Sequence, residues 1–299
     1  MRYILRNALF AACCLLAAPA AEAHRPAAPA AVPPYVSTTD LGVPVRTALA
    51  AHAAGRRVIA VFDIDNTLLT APQDLGSDTW FNWQKDTRPD DFAGVLKDSN
   101  LLIELGAMTP TQPDGPVLVH DLQAAGIPVY ALSARDPGLR GATEQALAAA
   151  GIDLSAAPEC GRPLCTRRGK LNAPQIQAAA HRLHVTLKAA PRPVTVSDGV
   201  MMVSGQDKGV MLHLLLASLK GRYDQVYFVD DTFQNIRDVR AAASGMRVRV
   251  MTYSYERFWP DAKAFLNDPA RQAKAAAGLK DLKAGVCAAI DATDCGTQP

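Results

Sequence analysis

Aromatic side chains are scarce in this chain of 299 residues, at 6%. An excess of either charge is all but missing: 31 Lys and Arg face 29 Asp and Glu, a formal net charge of +2. So even a balance gives neither nucleic acid nor a membrane surface an electrostatic reason to bind, and sets both aside as main partners. The apolar run at Ala8–Ala18 is too short to cross a bilayer as a stable helix. No internal repeat is visible, which argues against solenoids and propellers. Cysteine is sparse as well, and without close C-x-x-C spacing it offers no zinc framework.

What is present starts at the N-terminus. Arg2 and Arg6, the apolar run, and the small-residue site Ala21-Glu22-Ala23 together read as a secretory signal peptide, residues 1–23. Its cleavage removes two positive charges and one negative, so +2 becomes +1. The expected location is therefore periplasmic or secreted. Four cysteines remain, Cys160, Cys165, Cys287 and Cys295. An even count in an exported chain argues for disulfides, of which Cys160–Cys165 with Cys287–Cys295 is the simplest of three connectivities.

The most informative segment is Val58-Ile-Ala-Val-Phe-Asp-Ile-Asp-Asn-Thr-Leu-Leu69. A buried apolar strand runs into Asp63 and Asp65, with Thr67 after them, where an open α/β sheet places its ligand. Two carboxylates without a nearby basic residue repel unless a cation or a shared proton intervenes. Further along, apolar strands alternate with helical patterns. The strands are expected at residues 128–132, 194–203 (a hairpin turning at Asp198-Gly199), 225–230 and 247–252, and the helices at 116–125, 137–151, 207–219 and 233–243. This pattern predicts an α/β fold, a Rossmann-like parallel sheet with helices on both faces.

The expected organisation is a flexible leader at 24–39 and a core formed by 40–69 and 117–257. A cap or flap is inserted at 70–116, a second insertion at 152–193, and a helical tail covers 258–299. The cap carries Trp80, Phe81 and Trp83, which either close over a leaving group or pack the insert in place. Met201 and Met202 read as core. His120, His181, His184 and His213 read as structural or solvated rather than as ligands.

Polar residues recur at the expected strand and helix ends: Ser133 with Arg135 nearby, Lys208, and Asp230-Asp231 followed by Asn235. In a parallel sheet these ends share one side, so residues far apart in sequence can converge there. Such a set suits phosphoryl transfer, in which cations and positioning stabilise a migrating PO3 group. Mg2+ prefers an oxygen shell of carboxylates, water and substrate phosphate. Taken singly, Asp65 to Thr67 also reads as a helix cap, Ser133 as an N-cap, and Arg135 as half of an ion pair.

Four motifs in order make the chain resemble the haloacid dehalogenase-like superfamily: Asp63-Ile-Asp65-Asn-Thr67, Ser133, Lys208 in Gly-Gln-Asp-Lys-Gly, and Asp230-Asp231. Within it the chain is similar to a bacterial family catalogued mainly as a domain of unknown function. The shared features are the strand end Tyr227-Phe-Val-Asp-Asp-Thr232 and the helix start Lys208-Gly209. The resemblance implies Asp63 as nucleophile and Asp65 as general acid/base. Asp63, the Asp65 carbonyl and Asp231 would bind Mg2+, with Asp230 or Asn235 acting through water or a supporting bond. Ser133 and Lys208 would grip phosphoryl oxygens, Thr67 would brace the loop, and Arg135 could reach a substrate anion. The implied activity is phosphate monoester hydrolysis of a small molecule or phosphoprotein. A catalytically idle module that binds a phosphorylated ligand, and transfer to a hydroxyl acceptor, are the alternatives.

Overall fold

The computed structural model describes residues 32–157, 169–182, 186–219 and 221–289. In chain order the first half comprises β1 (Val36–Thr38), α1 (Gly42–Ala53), β2 (Val58–Phe62), β3 (Leu69–Thr70), α2 (Asp78–Thr87), α3 (Phe92–Leu105), β4 (Thr109–Pro110), α4 (Gly115–Ala124), β5 (Val129–Ser133) and α5 (Arg140–Ala149). The second half comprises β6 (Gly169–Leu171), α6 (Ala173–Arg182), β7 (Val194–Ser197), β8 (Val200–Met202), α7 (Lys208–Ser218), β9 (Gln225–Asp230), α8 (Phe233–Ala243), β10 (Arg249–Tyr255), α9 (Trp259–Leu266) and α10 (Pro269–Ala289).

Side-chain alternation along the central strands sets the layers. Val58, Ala60 and Phe62 of β2 join one buried cluster, with Leu41 just before α1, Val45 of α1, Leu122 of α4 and Leu147 of α5. Ile59 and Val61 join the opposite cluster, with Leu212 and Leu215 of α7 and Ile236 and Val239 of α8. Covered on both faces, β2 and β5 are buried throughout, which explains their near-continuous apolar composition. The eight-stranded sheet runs β1-β10-β9-β2-β5-β8-β7-β6. The first six strands are mutually parallel, and β7 is antiparallel to both its neighbours. The protein is α/β and Rossmann-like. The chain leaves β2 towards β5 on one side and returns to β9 on the other, so the crevice between β2 and β9 is where strand order reverses.

Two glycines are required by geometry. Asp198 and Gly199 both take positive φ, 47° and 75°, the two-residue turn that matches strand twist, and this confirms the hairpin. A Cβ on Gly199 would also lie 2.3 Å from the Leu154 carbonyl oxygen. Gly209 lets α7 approach α8 closely, since a Cβ there would meet the Asp238 carbonyl oxygen at 2.3 Å. That approach fixes the start of α7, where Lys208 sits.

Several segments depart from the sequence-based boundaries. Val36–Thr38, inside the expected leader, forms an edge strand in parallel register with Tyr253–Tyr255. The second insertion contributes β6 to the main sheet and α6 to one face. Residues 1–31, Cys160, Cys165, Cys295 and His184 lie outside the described residues, and with them the signal peptide and both expected disulfide pairings. The cap hangs between the short antiparallel strands β3 and β4. Its aromatic residues do not close over a site. Trp80 is fully buried with Phe265, Ala275 and Leu279 of α9 and α10, and Trp83 meets Phe265 edge-on at 5.7 Å. The C-terminal segment is thus packed against the cap rather than trailing from the core. No described helix is long and apolar enough to cross a membrane.

Candidate active site

The sheet register brings the acidic residues together. Phe62 pairs with Val229, so Asp63 and Asp230 emerge side by side, and the Asp63 N–H donates to the Val229 carbonyl at 2.9 Å. After Asp63 the chain makes a single helical turn, with the N–H groups of Thr67, Leu68 and Leu69 donating to the Ile64 carbonyl. Asn66 supports this turn at φ 54°, a left-handed conformation that asparagine tolerates better than most residues. The Thr111 hydroxyl donates to the Thr67 carbonyl at 2.5 Å and ties the turn to the cap's return strand. The Thr67 side chain is wholly buried, and its hydroxyl has no partner among the described residues.

Lys208 is the centre's cation. Asp207 caps α7 by accepting from the Gly209 and Val210 N–H groups. The Lys208 ammonium, 1% exposed, lies 2.6 Å from Asp63 Oδ1 and 2.7 Å from Asp230 Oδ2. Burial alone would discharge this lysine, but the Asp230 and Asp63 carboxylates hold it protonated, above its ordinary range. The other oxygen of Asp230 accepts from the Thr232 N–H and the Asn235 side-chain amide, both at 2.9 Å. Asn235 therefore supports Asp230. Asp231 is less committed: one oxygen accepts from the Thr232 hydroxyl at 3.2 Å, and its carbonyl accepts from Trp259 Nε1 at 3.0 Å.

Carboxylate oxygens of Asp63, Asp230 and Asp231 all fall within 4.8 Å of one another. Burial pushes the Asp63 carboxyl up to about 8, with Asp230 and Asp65 adding to the rise and Lys208 opposing it. Burial also raises Asp231 well above the carboxylate range, helped by Asp78, Asp230 and Asp63. A cluster of hard oxygen donors under mutual repulsion fits a divalent cation such as Mg2+. Because Asp230 is occupied by Lys208, Thr232 and Asn235, Asp63 and Asp231 are the members best able to ligate it.

Ser133 ends β5, two residues beyond Ala131, which pairs with Phe62, so it lies alongside the Asp63–Asp65 turn. It is fully buried and its Oγ accepts from the Arg135 N–H at 3.2 Å. Arg135 grips Asp65 with both arms, at 3.0 and 2.7 Å, and also donates to the Thr143 hydroxyl and the Met108 sulfur. Its guanidinium forms a structural ion pair here and is not turned to an external anion. All the expected residues thus gather at one end of the sheet, with Arg135 and Asn235 serving neighbouring carboxylates.

Asp78 is a residue that sequence reasoning passed over. It opens α2 in the cap, accepts from the Asn82 side-chain amide at 2.9 Å, and stands close enough to the centre to raise Asp231. Burial, with Asp65 adding to it, pushes Asp78 itself to about 6. An acid in the first turn of a helix is common for dipole reasons, which hides it in sequence. Its position shortly after the Asp63–Asp65 turn, directly behind the N-cap Ser77, was the available signal.

A family described as "Protein of unknown function (DUF2608)" matches residues 44–283, about four-fifths of the chain. The chain belongs to the DUF2608 family. The match runs from within α1 to most of α10, so the family's extent includes the cap, the acidic centre and most of the C-terminal helices. No curated protein and no solved structure matches the chain.

Proposed function

We propose that this DUF2608 protein is an exported, Mg2+-dependent phosphohydrolase of the haloacid dehalogenase-like kind, which cleaves phosphate monoesters through a phospho-Asp63 intermediate. The observation that carries this reading is the Asp63–Lys208–Asp230 network beside Asp231, a buried ammonium among convergent carboxylates. Such an array suits a dianionic group bound next to a metal. A divalent cation held by Asp63, Asp231 and the Asp65 carbonyl would neutralise charge on the phosphoryl oxygens.

In this reading an Asp63 carboxylate oxygen attacks phosphorus and the ester P–O bond breaks. The leaving oxygen takes a proton from Asp65. Water then attacks the phospho-aspartate, gives its proton to Asp65, and orthophosphate departs with Asp63 regenerated. Lys208 and Ser133 hold phosphoryl oxygens and Thr67 braces the turn. Arg135 holds the Asp65 side chain in place through two hydrogen bonds.

The test is phosphate release from p-nitrophenyl phosphate and acetyl phosphate with Mg2+, abolished by chelation. Asp63→Asn should lower turnover by at least about 10^3-fold, as removal of a covalent nucleophile does, while leaving the unfolding midpoint in place. Undiminished turnover in that variant would overturn the assignment.

A further inference from the structure

Beside the acidic centre lies a cleft of about 650 Å³. One wall is the segment from Asn66 to Thr79, and the other comes from the C-terminal helices and the turn before them, Phe258 to Gly278. The first of these residues directly follows Asp65 and lies within the turn built on the Ile64 carbonyl, so the cleft opens from that turn. The volume falls within the ~300–1,000 Å³ of small-molecule sites.

The charges on the lining cancel. Arg271 binds Asp74 through two nitrogens and Asp261 at 3.2 and 3.3 Å, which leaves Lys274 to balance the second acid. A charged leaving group therefore meets no surplus of the opposite sign. Hydrogen-bonding capacity, by contrast, is left over. Asn66 is only 8% exposed. Its Oδ1 accepts from the Thr70 hydroxyl, yet its Nδ2 has no partner among the described residues although the side chain borders the cleft. Among the described residues the Gln73 side-chain carbonyl accepts no bond, and the Thr79 hydroxyl has no partner. Phe258 adds a half-buried ring.

We infer that this cleft is the leaving-group subsite and that it takes an uncharged, hydroxyl-bearing group up to nucleoside size, a hexose or a nucleoside. The inference rests on the phosphohydrolase reading and adds to it the part of the substrate that the acidic centre does not touch. It also gives the C-terminal helices a role in selecting substrate.

The experiment compares kcat/KM for acetyl phosphate, whose leaving group is too small to fill the cleft, with that for a hexose 6-phosphate, a nucleoside 5′-monophosphate, 3-phosphoglycerate and a phosphoserine peptide. At least one of the two hydroxylated esters should exceed both 3-phosphoglycerate and the peptide by tenfold or more. Gln73→Trp narrows the cleft from an exposed loop. Asn66→Gly deletes the amide while tolerating the left-handed backbone. Each should reduce the ratio of the preferred ester to acetyl phosphate by at least fivefold. Equal rates across the panel, preference for the peptide or the anionic ester, or an unchanged ratio in both variants would overturn the inference while leaving hydrolysis intact. Absence of Mg2+-dependent turnover on every substrate, acetyl phosphate included, would instead sink the phosphohydrolase reading.

Discussion

One arrangement, a cation between two carboxylates, recurs among the described residues, and two of its instances have opposite consequences. Lys208 lies between Asp63 and Asp230, with side chains 1%, 8% and 0% exposed. Arg271 lies between Asp74 and Asp261, with side chains 30%, 26% and 66% exposed. Water screens the second set, so it contributes little beyond holding the C-terminal helices to the cap. The first set has lost its water, and there desolvation can exceed the attraction between the charges. A fold gains little stability from such a buried network, which lies at the reversal of strand order, where the proposed function puts the chemistry. The exposed set is a fastener.

The contrast can be broken by removing each cation. Lys208→Met strands Asp63 and Asp230 in the core, and loss of one partner from a buried pair typically costs about 3–5 kcal/mol. Urea unfolding in EDTA should show that loss, and adding Asp63→Asn should recover part of it. A neutral result for Lys208→Met would mean that water already reaches the carboxylates.

The pH dependence of the chelated protein comes next. Burial raises Asp63 to about 8 and Asp78 to about 6, so between pH 4 and 8 the folded state keeps protons that the unfolded chain has released. Stability must then fall as pH rises through that window. The melting temperature in EDTA should drop from pH 5 to pH 8, and Mg2+ should flatten the slope. A flat profile without metal would show that these carboxyls titrate normally. Smallest in effect, Arg271→Ala should lower stability by about 1 kcal/mol or less, because its partners remain solvated. A larger loss, measured by the same urea titration, would show that the fastener carries packing as well as charge.

Much of the core was legible in sequence because local signals agreed with the global fold. The apolar runs of β2, β5 and β9 ended in the residues expected to converge, and α8 occupies Phe233–Ala243 as its pattern implied. The fold class could be read because parallel strands buried on both faces leave a compositional trace. The misses share one physical origin: they depend on contacts between distant segments. β1 is three residues long and follows Pro33-Pro34, so it reads as leader until β10 supplies its partner. Arg271 meets Asp74 across 197 positions, and no periodicity announces that docking. Trp80 and Trp83 offered both a lid and a packing role, and only the position of Phe265 decides between them. At the site, the gathering of Asp63, Lys208 and Asp230 was foreseeable from strand ends, whereas Arg135's grip on Asp65 depended on side-chain direction.

One contact gives the molecule its own optical reporter. Of its three tryptophans, Trp80 and Trp83 are packed against the C-terminal helices, while Trp259 is 41% exposed and its indole nitrogen donates to the backbone of Asp231. Emission from that indole is therefore coupled to the acidic loop without any attached dye. Events at the loop can be followed by fluorescence in the unmodified chain, with Trp259→Phe as the blank.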